Sequence, residues 1–371
     1  MRTQKWDIKL FEPTIRPWRP EKDPSRQIAV LMSGGVDSSI TACLLKEKGW
    51  EVLGITMKIP PSHKTDSRDC CGADAASVCR QLDIPHYVVD VTEAFEELVI
   101  KRFLQSYAKG QTPNPCVDCN TLLKFSLVWD FIEDNFGIDR LATGHYARIS
   151  QNNNWHLGMA KDKTKDQSYF LHGIALEKLP KLILPLGDFT KEKVRSIAAE
   201  SKLVVADKSE SMELCFAGQG DYRAVLNCVE ARTPGDITDM KGNRIATHKG
   251  IANYTLGQRQ GIGYAGGKPL YVAKIDPETN TIALGGREDV SSTTIRAGDI
   301  NILIQEEFMA GNSFFGKIRS YGSPQPCRLI NLSETDMTVE FDTPQFAPCP
   351  GQKIVLYNNF DNIVAGGTIV S

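Results

Sequence analysis

The sequence predicts an α/β domain built on a parallel sheet, followed by a small β-rich domain and a C-terminal β-barrel. Two observations carry this. From Ile28 onward, short apolar runs alternate with helical patterns, the order that places parallel strands between two layers of helices. After about residue 220, glycine becomes frequent, helical periodicity fades and β-like runs follow one another, as in "PLYVAKI", "SFFGKIR", "MTVEF" and "KIVLY". The 371 residues suit two or three domains. The expected division is an irregular arm over 1–26, the α/β domain over 27–219, the central β-rich domain over 220–292 and the barrel over 293–371.

Residues 1–26 hold Pro13, Pro17, Pro20 and Pro24 among scattered charges, so they read as an irregular arm, draped on the surface by Trp6 and Trp18. "IAVLM" is the first strand. Residues 37–48 form a helix with Asp37 or Ser38 near its N-cap and Gly49 past its end. Further strands are expected at 52–57, 86–91 and 140–145, with helices near 72–82, 93–108 and 118–136.

Composition narrows the class. At 41% hydrophobic and 24% charged, the chain is an ordinary globular one. No run approaches the roughly 18 apolar residues of a membrane span, and "MRTQKWDIKLFEPTIRPWRP" has no apolar core of a signal peptide. A cytoplasmic protein with no membrane partner is expected. In that reducing compartment, clustered cysteines point to metal or catalysis rather than staples. A net charge of −2 does not suggest nucleic acid, but two acid-free stretches do. Residues 241–260 carry Lys241, Arg244, Lys249 and Arg259, and residues 311–331 carry Lys317, Arg319 and Arg328. From charge alone, solvated loops explain them equally well.

The stretch "SGGVDSS" (33–39) joins the first strand to the first helix. Glycines let backbone N–H groups approach an anion at the positive end of the helix dipole. Ser33, Ser38 and Ser39 add hydroxyls. The lysine of a Walker loop is missing, which argues against γ-phosphate transfer. Asp37 beside the anion makes sense if it helps hold Mg²⁺.

This loop resembles the pyrophosphate loop of the N-type ATP pyrophosphatases, whose adenine nucleotide alpha-hydrolase-like, Rossmann-like domain cleaves ATP between the α and β phosphates. Further stretches narrow the match: "GQTPNPCVDCNTLLKF" with Cys116 and Cys119, "SMELCFAGQGDYRAVL" with Cys215, "TGHYAR", "KDQSYFL", "NYTLGQRQGIGYAGGKPLYV" and "PGQKIVLY". Together they resemble the tRNA-specific 2-thiouridylases of the MnmA family. The resemblance implies ATP-dependent 2-thiolation of uridine at wobble position 34 of tRNA. It implies that Leu31, Met32, Ser33, Gly34, Gly35, Val36, Asp37 and Ser38 hold the phosphates, that Met57 meets the adenine and that Gly144 lies against the nucleotide. His145, Lys165, Asp166 and Gln167 would touch tRNA, and Asn114, Pro115 and Cys116 would face the target base. Cys119 matches the second-step cysteine and Cys215 the persulfide carrier. Arg319 and Gln352 fall where the family contacts tRNA, although "SYGSPQP" after Arg319 departs from the usual basic-aromatic run. The implied partners are the anticodon arm of tRNA and a sulfur-relay protein or other sulfide donor.

Cys116 is a departure, because the family usually carries aspartate there. Three thiolates from Cys116, Cys119 and Cys215 could ligate a [4Fe-4S] cluster and leave one iron open. The alternatives are a persulfide on Cys215 with Cys119 closing a disulfide, tetrahedral zinc, or an incidental thiol. Cys79 reads as core, Cys70 and Cys71 as structural with a redox relay as the minor option, and Cys43, Cys228, Cys327 and Cys349 as packing. His86 reads as structural. Two other functions stay open: an amidating ligase, which would need the loop but not the three cysteines, and a non-catalytic RNA-binding relative.

Overall fold

The computed structural model describes residues 6–20, 23–60, 71–208, 214–217, 225–226, 233–264 and 266–370. Cys70 and Cys228 lie outside them, as does the side chain of Cys71. The chain divides into two units, residues 1–99 with 116–220, and 100–115 with 221–371.

The first unit is built on a six-stranded sheet. Its strands are β1 (Lys9–Leu10), β2 (Gln27–Leu31), β3 (Glu51–Lys58), β4 (His86–Asp90), β5 (Leu141–Ala142) and, after the hairpin β6 (Ala147–Asn152) and β7 (Asn154–Met159), β8 (Leu182–Ile183). The spatial order is β1-β4-β3-β2-β5-β8, parallel except for β1. Strand β2 is buried along its whole length, as a central parallel strand covered on both faces must be. Helix α1 (Val36–Glu47) and helix α2 (Cys71–Gln81) bury Ile40, Leu45, Ala75 and Val78 in one core with Ile28 and Val30. Cys79 lies in this core, and burial pushes its thiol up to about 12.

The helices expected near 93–108 and 118–136 are not continuous α-helices. Wider π-helical turns occupy Glu96–Lys101 and Cys119–Val128 between α-helical pieces. Such turns change which residues share a face, and they gather at functional sites. The strand expected over 140–145 closes after two residues, because the chain must turn towards the first turn of α1.

The arm is more regular than its composition suggests. Lys9 and Leu10 pair with Asp90 and Val89, and Phe11 N–H and Thr14 N–H donate to Val88 and His86 carbonyls. The arm therefore caps the exposed edge of β4, and the backbone N–H of Trp18 donates to Tyr87 Oη at 3.0 Å. Its anchor is His86, which is wholly buried. Thr56 Oγ1 lies 2.8 Å from Met32 O, which has only lone pairs to offer, so the hydroxyl donates there. The same oxygen lies 2.8 Å from His86 Nε2, so that nitrogen carries the proton. Nδ1 is then the acceptor for Thr14 Oγ1 at 2.7 Å. A neutral imidazole thus links the arm to the residue preceding the glycine turn.

In the second unit, β9 (Gly235–Asp239), β10 (Arg244–His248), β11 (Tyr271–Asp276) and β12 (Thr281–Gly285) form a small sheet in the order β10-β9-β12-β11. Strands β13 (Ser291–Ile302), β14 (Ser313–Lys317), β15 (Gln325–Leu332), β16 (Asp336–Phe346), β17 (Lys353–Tyr357) and β18 (Ile363–Ile369) close into a barrel, as the sequence predicts. Its interior holds Ile295, Leu329, Val339, Phe341, Ile354 and Leu356.

Burial holds the His86 pKa down at about 4, against 6.5 for a free imidazole. The unfolded chain therefore takes up a proton below pH 6.5 that the folded chain refuses until about pH 4. Stability from this residue is complete above pH 6.5 and declines as pH falls towards 4. Urea unfolding of wild type and His86→Asn between pH 8 and pH 4.5 should show a shallower acid decline in the variant, with lower stability at pH 8. Equal slopes would contradict the relay.

Candidate active site: a phosphate loop and three thiols

Strand β2 delivers the chain to a turn at Ser33–Gly34–Gly35, where Gly34 has φ 70°, a left-handed conformation that favours glycine. Helix α1 then starts at Val36 with Gly35 as its N-cap, one residue before the predicted start. Ser38 is turned inward: its Oγ lies 3.2 Å from Ser33 N, Ser33 Oγ and Gly35 O. Ser39 Oγ donates to Gly35 O at 2.8 Å and is fully buried, so it secures the first turn instead of facing a ligand. Ser33 is the exposed serine. Met57 is half-buried near the end of β3.

The missing lysine enters from elsewhere. Lys191 Nζ lies 2.8 Å from both Asp37 carboxylate oxygens, and Tyr146 Oη donates to Oδ1 at 2.9 Å. Lys191 also sits 5.4 Å over the Tyr146 ring. It opens the helix Lys191–Glu200, N-capped by Thr190. Lys208 Nζ donates to Gly34 O at 3.0 Å and to Asp74 Oδ2 at 2.5 Å. With an ammonium on both its oxygens, Asp37 in this arrangement does not fit the role of a Mg²⁺ ligand. Gly144 presses against the same turn: a Cβ there would meet Asp37 C and Ser38 N, each at 2.7 Å. It is glycine because backbone passes backbone.

Cys116 and Cys119 lie on the short helix Pro115–Asp118 and at the start of the π-helical run Cys119–Val128. Cys119 is buried, while Cys116 and Cys215 retain exposed surface. All three thiols are raised above 9.0 by burial, Cys215 to about 12, with Cys119 and Cys116 adding to its rise. Lys124 opposes the rise at each of them. Its ammonium donates to Asn120 Oδ1 at 3.0 Å, and Asn120 in turn donates to Phe170 O at 3.1 Å. Lys124 follows Cys119 by five residues, and the wide turns of this segment bring i and i+5 to one face. Among the described residues, no group of three or more His, Cys, Asp or Glu is placed to hold a metal ion, Cys116, Cys119 and Cys215 included. The three sulfurs suit iron or zinc by chemistry, but their arrangement is not a ligand set.

Other predicted residues are engaged within the fold. His145 stacks near Phe125 with ring centroids 5.8 Å apart and shares 2.8 Å with Thr143 Oγ1; burial first, then Lys124, holds its pKa well below 6.5. Asp166 accepts from Ala160 N and Ser168 Oγ, and Gln167 Oε1 accepts from Tyr146 N. Lys165 is half-buried in the same loop. In the second unit, Arg319 donates to Phe346 O and Ala347 O, and Gln352 Nε2 donates to Pro113 O at 3.2 Å. Thr112 N–H donates to Pro350 O, so the segment leading to Asn114 and Pro115 is fastened to the barrel. The acid-free stretches are less free than their composition implies. Arg244 pairs with Asp236 at 2.7 Å and Lys317 is buried, which leaves Arg328 as the exposed cation of the second stretch.

A parallel sheet that carries a glycine turn with two lysines, in one unit with three thiols, defines an ATP pyrophosphatase-type enzyme that handles sulfur. Three family models cover the chain: a tRNA methyl transferase HUP domain over 26–219, a tRNA methyl transferase PRC-barrel domain over 223–286 and an aminomethyltransferase beta-barrel domain over 292–370. The tRNA-specific 2-thiouridylase MnmA of Lachnoclostridium phytofermentans is 40% identical over 93% of this chain and 99% of its own. That of Moorella thermoacetica is 42% identical over 92% and 99%, and that of Pelotomaculum thermopropionicum 41% over 93% and 97%. The chain belongs to the tRNA-specific 2-thiouridylase family, MnmA.

Two outcomes follow from the geometry. Lys124→Met removes the cation that opposes the raised thiols, so iodoacetamide should label Cys116 and Cys119 more slowly at neutral pH, and an unchanged rate would show that Lys124 has no hold on them. Gly144→Ala forces backbone apart, at a cost of about 1–3 kcal/mol of stability. Denaturant titration should show that loss together with weaker ATP binding.

Proposed function

We propose that this enzyme converts uridine at position 34 of tRNA to 2-thiouridine by adenylating the C2 oxygen and displacing AMP with sulfur. The observation that carries the reading is the pairing, within one α/β unit, of a phosphate loop fed by Lys191 and Lys208 with the thiols of Cys116, Cys119 and Cys215. A carbonyl oxygen is a poor leaving group; its AMP ester is a good one. Sulfur is the suited nucleophile because it is soft and its hydrogen ionises more readily than that of a hydroxyl. The methyl transferase description of the family models fits neither feature, since methyl transfer needs no pyrophosphate loop.

In the free protein the thiols are held protonated by burial. A persulfide on Cys215 is more acidic than the thiol it replaces, so sulfur loading itself activates the group. Its terminal sulfur attacks C2, and Cys119 then attacks the Cys215 sulfur, breaking the S–S bond. The sulfane sulfur is reduced to the thione as Cys119 and Cys215 are oxidised to a disulfide, which a dithiol reductant resets. Lys124 stabilises the thiolate that makes this second attack. A second reading has Cys116, Cys119 and Cys215 holding a [4Fe-4S] cluster, which would supply sulfide at an open iron. It is favoured by the third thiol, Cys116, which together with Cys119 adds to the rise at Cys215.

The remaining assignments extend the same reading. ATP is the co-substrate, with Mg²⁺ carried by its phosphates, and the donor is a sulfur-relay protein or other sulfide source. The anticodon arm docks on the β-rich part of the chain, divided at 220–292 and 293–371, through phosphate contacts, and uridine is splayed from its stack. Asn114, Pro115, His145 and Lys165 serve tRNA. Asp166, Gln167, Arg319 and Gln352 serve it by shaping the loops that carry them.

Chromatography of the products should show tRNA-dependent AMP and pyrophosphate; ADP would overturn the reading, and sulfur-independent amidation would point to a ligase. Cys116→Asp separates the sulfur routes. With the persulfide route, the variant should stay active in air and bind no iron. Loss of activity together with loss of about four irons per chain, present in anaerobic wild type, would establish the cluster.

A further inference from the structure

The turn at Ser33–Ser38 offers backbone N–H groups and the exposed Ser33 hydroxyl to a triphosphate but no cation of its own. We infer that Lys191 is that cation: it grips the β-phosphate of ATP and the pyrophosphate that leaves, and Asp37 and Tyr146 are the cradle that holds it ready. This rests on the thiouridylase reading only for cleavage between the α and β phosphates.

The position of Lys191 is unusual for a stabilising residue. It occupies the first position of its helix, where the dipole is positive and disfavours a cation. Its side chain is only 10% exposed, a costly place for an ammonium. What holds it there is Asp37, the second residue of α1, whose carboxylate draws Nζ to within 2.8 Å at the N-terminus where α1 presents its unpaired N–H groups. Tyr146 fixes the geometry twice, by its hydroxyl on Asp37 and by its ring beneath the ammonium. Gly144 lets the chain carrying Tyr146 pass close enough to do so. Lys191 N–H is itself capped by Asp162 Oδ2 at 3.1 Å, which sets the start of the helix. Together these contacts deliver one ammonium to the phosphate turn and hold it by groups that a phosphate can replace.

Without ATP, the pair is close to neutral. When the triphosphate arrives, the ammonium shares its donors between Asp37 and the β-phosphate oxygens. In the adenylation step, uridine O2 forms a bond to the α-phosphorus. The bond from that phosphorus to the bridging oxygen breaks, and its electron pair stays on the departing pyrophosphate. Lys191 faces the oxygen on which that charge appears. Lys208 acts differently: it touches Gly34 O and Asp74, not ligand, and positions the turn.

The test uses inorganic pyrophosphate and AMP as probes, titrated calorimetrically into the full chain, so it needs neither tRNA nor sulfur. Lys191→Gln and Lys191→Met should weaken pyrophosphate binding by about tenfold or more while AMP changes by less than about twofold, and Lys191→Arg should retain most of the affinity. The double variant Asp37→Asn, Lys191→Met should stay weak. Restored pyrophosphate binding in the double variant would show that Lys191 is only the counterion of Asp37. Equal loss for both probes, or no loss for either, would also overturn the inference. Thermal unfolding of each variant reports folding, and the charge-keeping Arg variant decides the matter if the neutral ones unfold. Failure of the thiouridylase reading has a different mark: wild type would bind pyrophosphate normally but release no AMP with tRNA.

Discussion

The ion pair between Asp37 and Lys191 joins the first helix of the α/β unit to its last long one, across 154 residues of chain. Everything near the phosphate turn is arranged around it. Strand β5 ends after two residues so that Gly144 can pass under α1; Tyr146 then lies against the carboxylate; the hairpin β6–β7 follows directly from Ala147. Breaking a buried pair by removing one partner costs about 3–5 kcal/mol because the other charge is left behind. Here Asp37 is a third exposed, so water moderates the penalty. That partial exposure is also what makes the pair available to a ligand. A fully buried pair would stabilise the fold and do nothing else.

The two halves of the chemistry meet opposite electrostatic demands. The phosphate turn must hold charge that is already present, so it uses preformed dipoles and lysines. The thiol site must hold sulfur inert until it is needed. Burial does this for Cys116, Cys119 and Cys215, which ionise only above the ordinary thiol range. Lys124, steadied by Asn120, limits that rise without abolishing it. On the proposed persulfide route, sulfur loading would lower the acidity barrier at the one atom that carries the cargo, so reactivity would accompany the substrate instead of residing in the resting protein.

How much of this was legible in the sequence depends on the distance over which each feature is encoded. The alternation from Ile28 and the loop "SGGVDSS" are local, and the parallel sheet, the glycine turn and the closed barrel follow from such patterns. Lys191, Tyr146, Lys208 and Lys124 were not legible as site residues. Three of them reach the turn from more than a hundred residues away, and no spacing rule reports that. Lys191 left one trace: a lysine directly after the N-cap Thr190, at the helix end where lysine is disfavoured. Lys124 left a subtler one, because five residues from Cys119 is off-face in an α-helix and on-face only in the π-helical run that the structure shows. The edge pairing of the arm was hidden for a related reason. Its prolines and charges read as irregular, while its pairing depends on the unoccupied edge of β4 and on a partner for His86.

Charge counting does not show which cations of the second unit are engaged within the fold, and that bears on how the unit could meet RNA. Arg244, Lys317 and Arg319 look like open cations in a row of letters. In the fold Arg244 is paired with Asp236, Lys317 is buried, and Arg319 holds two carbonyls of the β16 end while lying 5.8 Å from the Phe346 ring. A guanidinium fixed in that way shapes the loop it supports more than it attracts phosphate. Gln352 does the same for Pro113, two residues before the helix that carries Cys116. In the proposed docking of RNA on this unit, these residues would act by holding the shape of barrel loops, and the exposed Lys241, Lys249, Arg259 and Arg328 would be the cations left to meet phosphate. A docking surface of that kind would discriminate by fit as well as by charge, which would suit an enzyme that must select one folded arm among many equally charged RNAs.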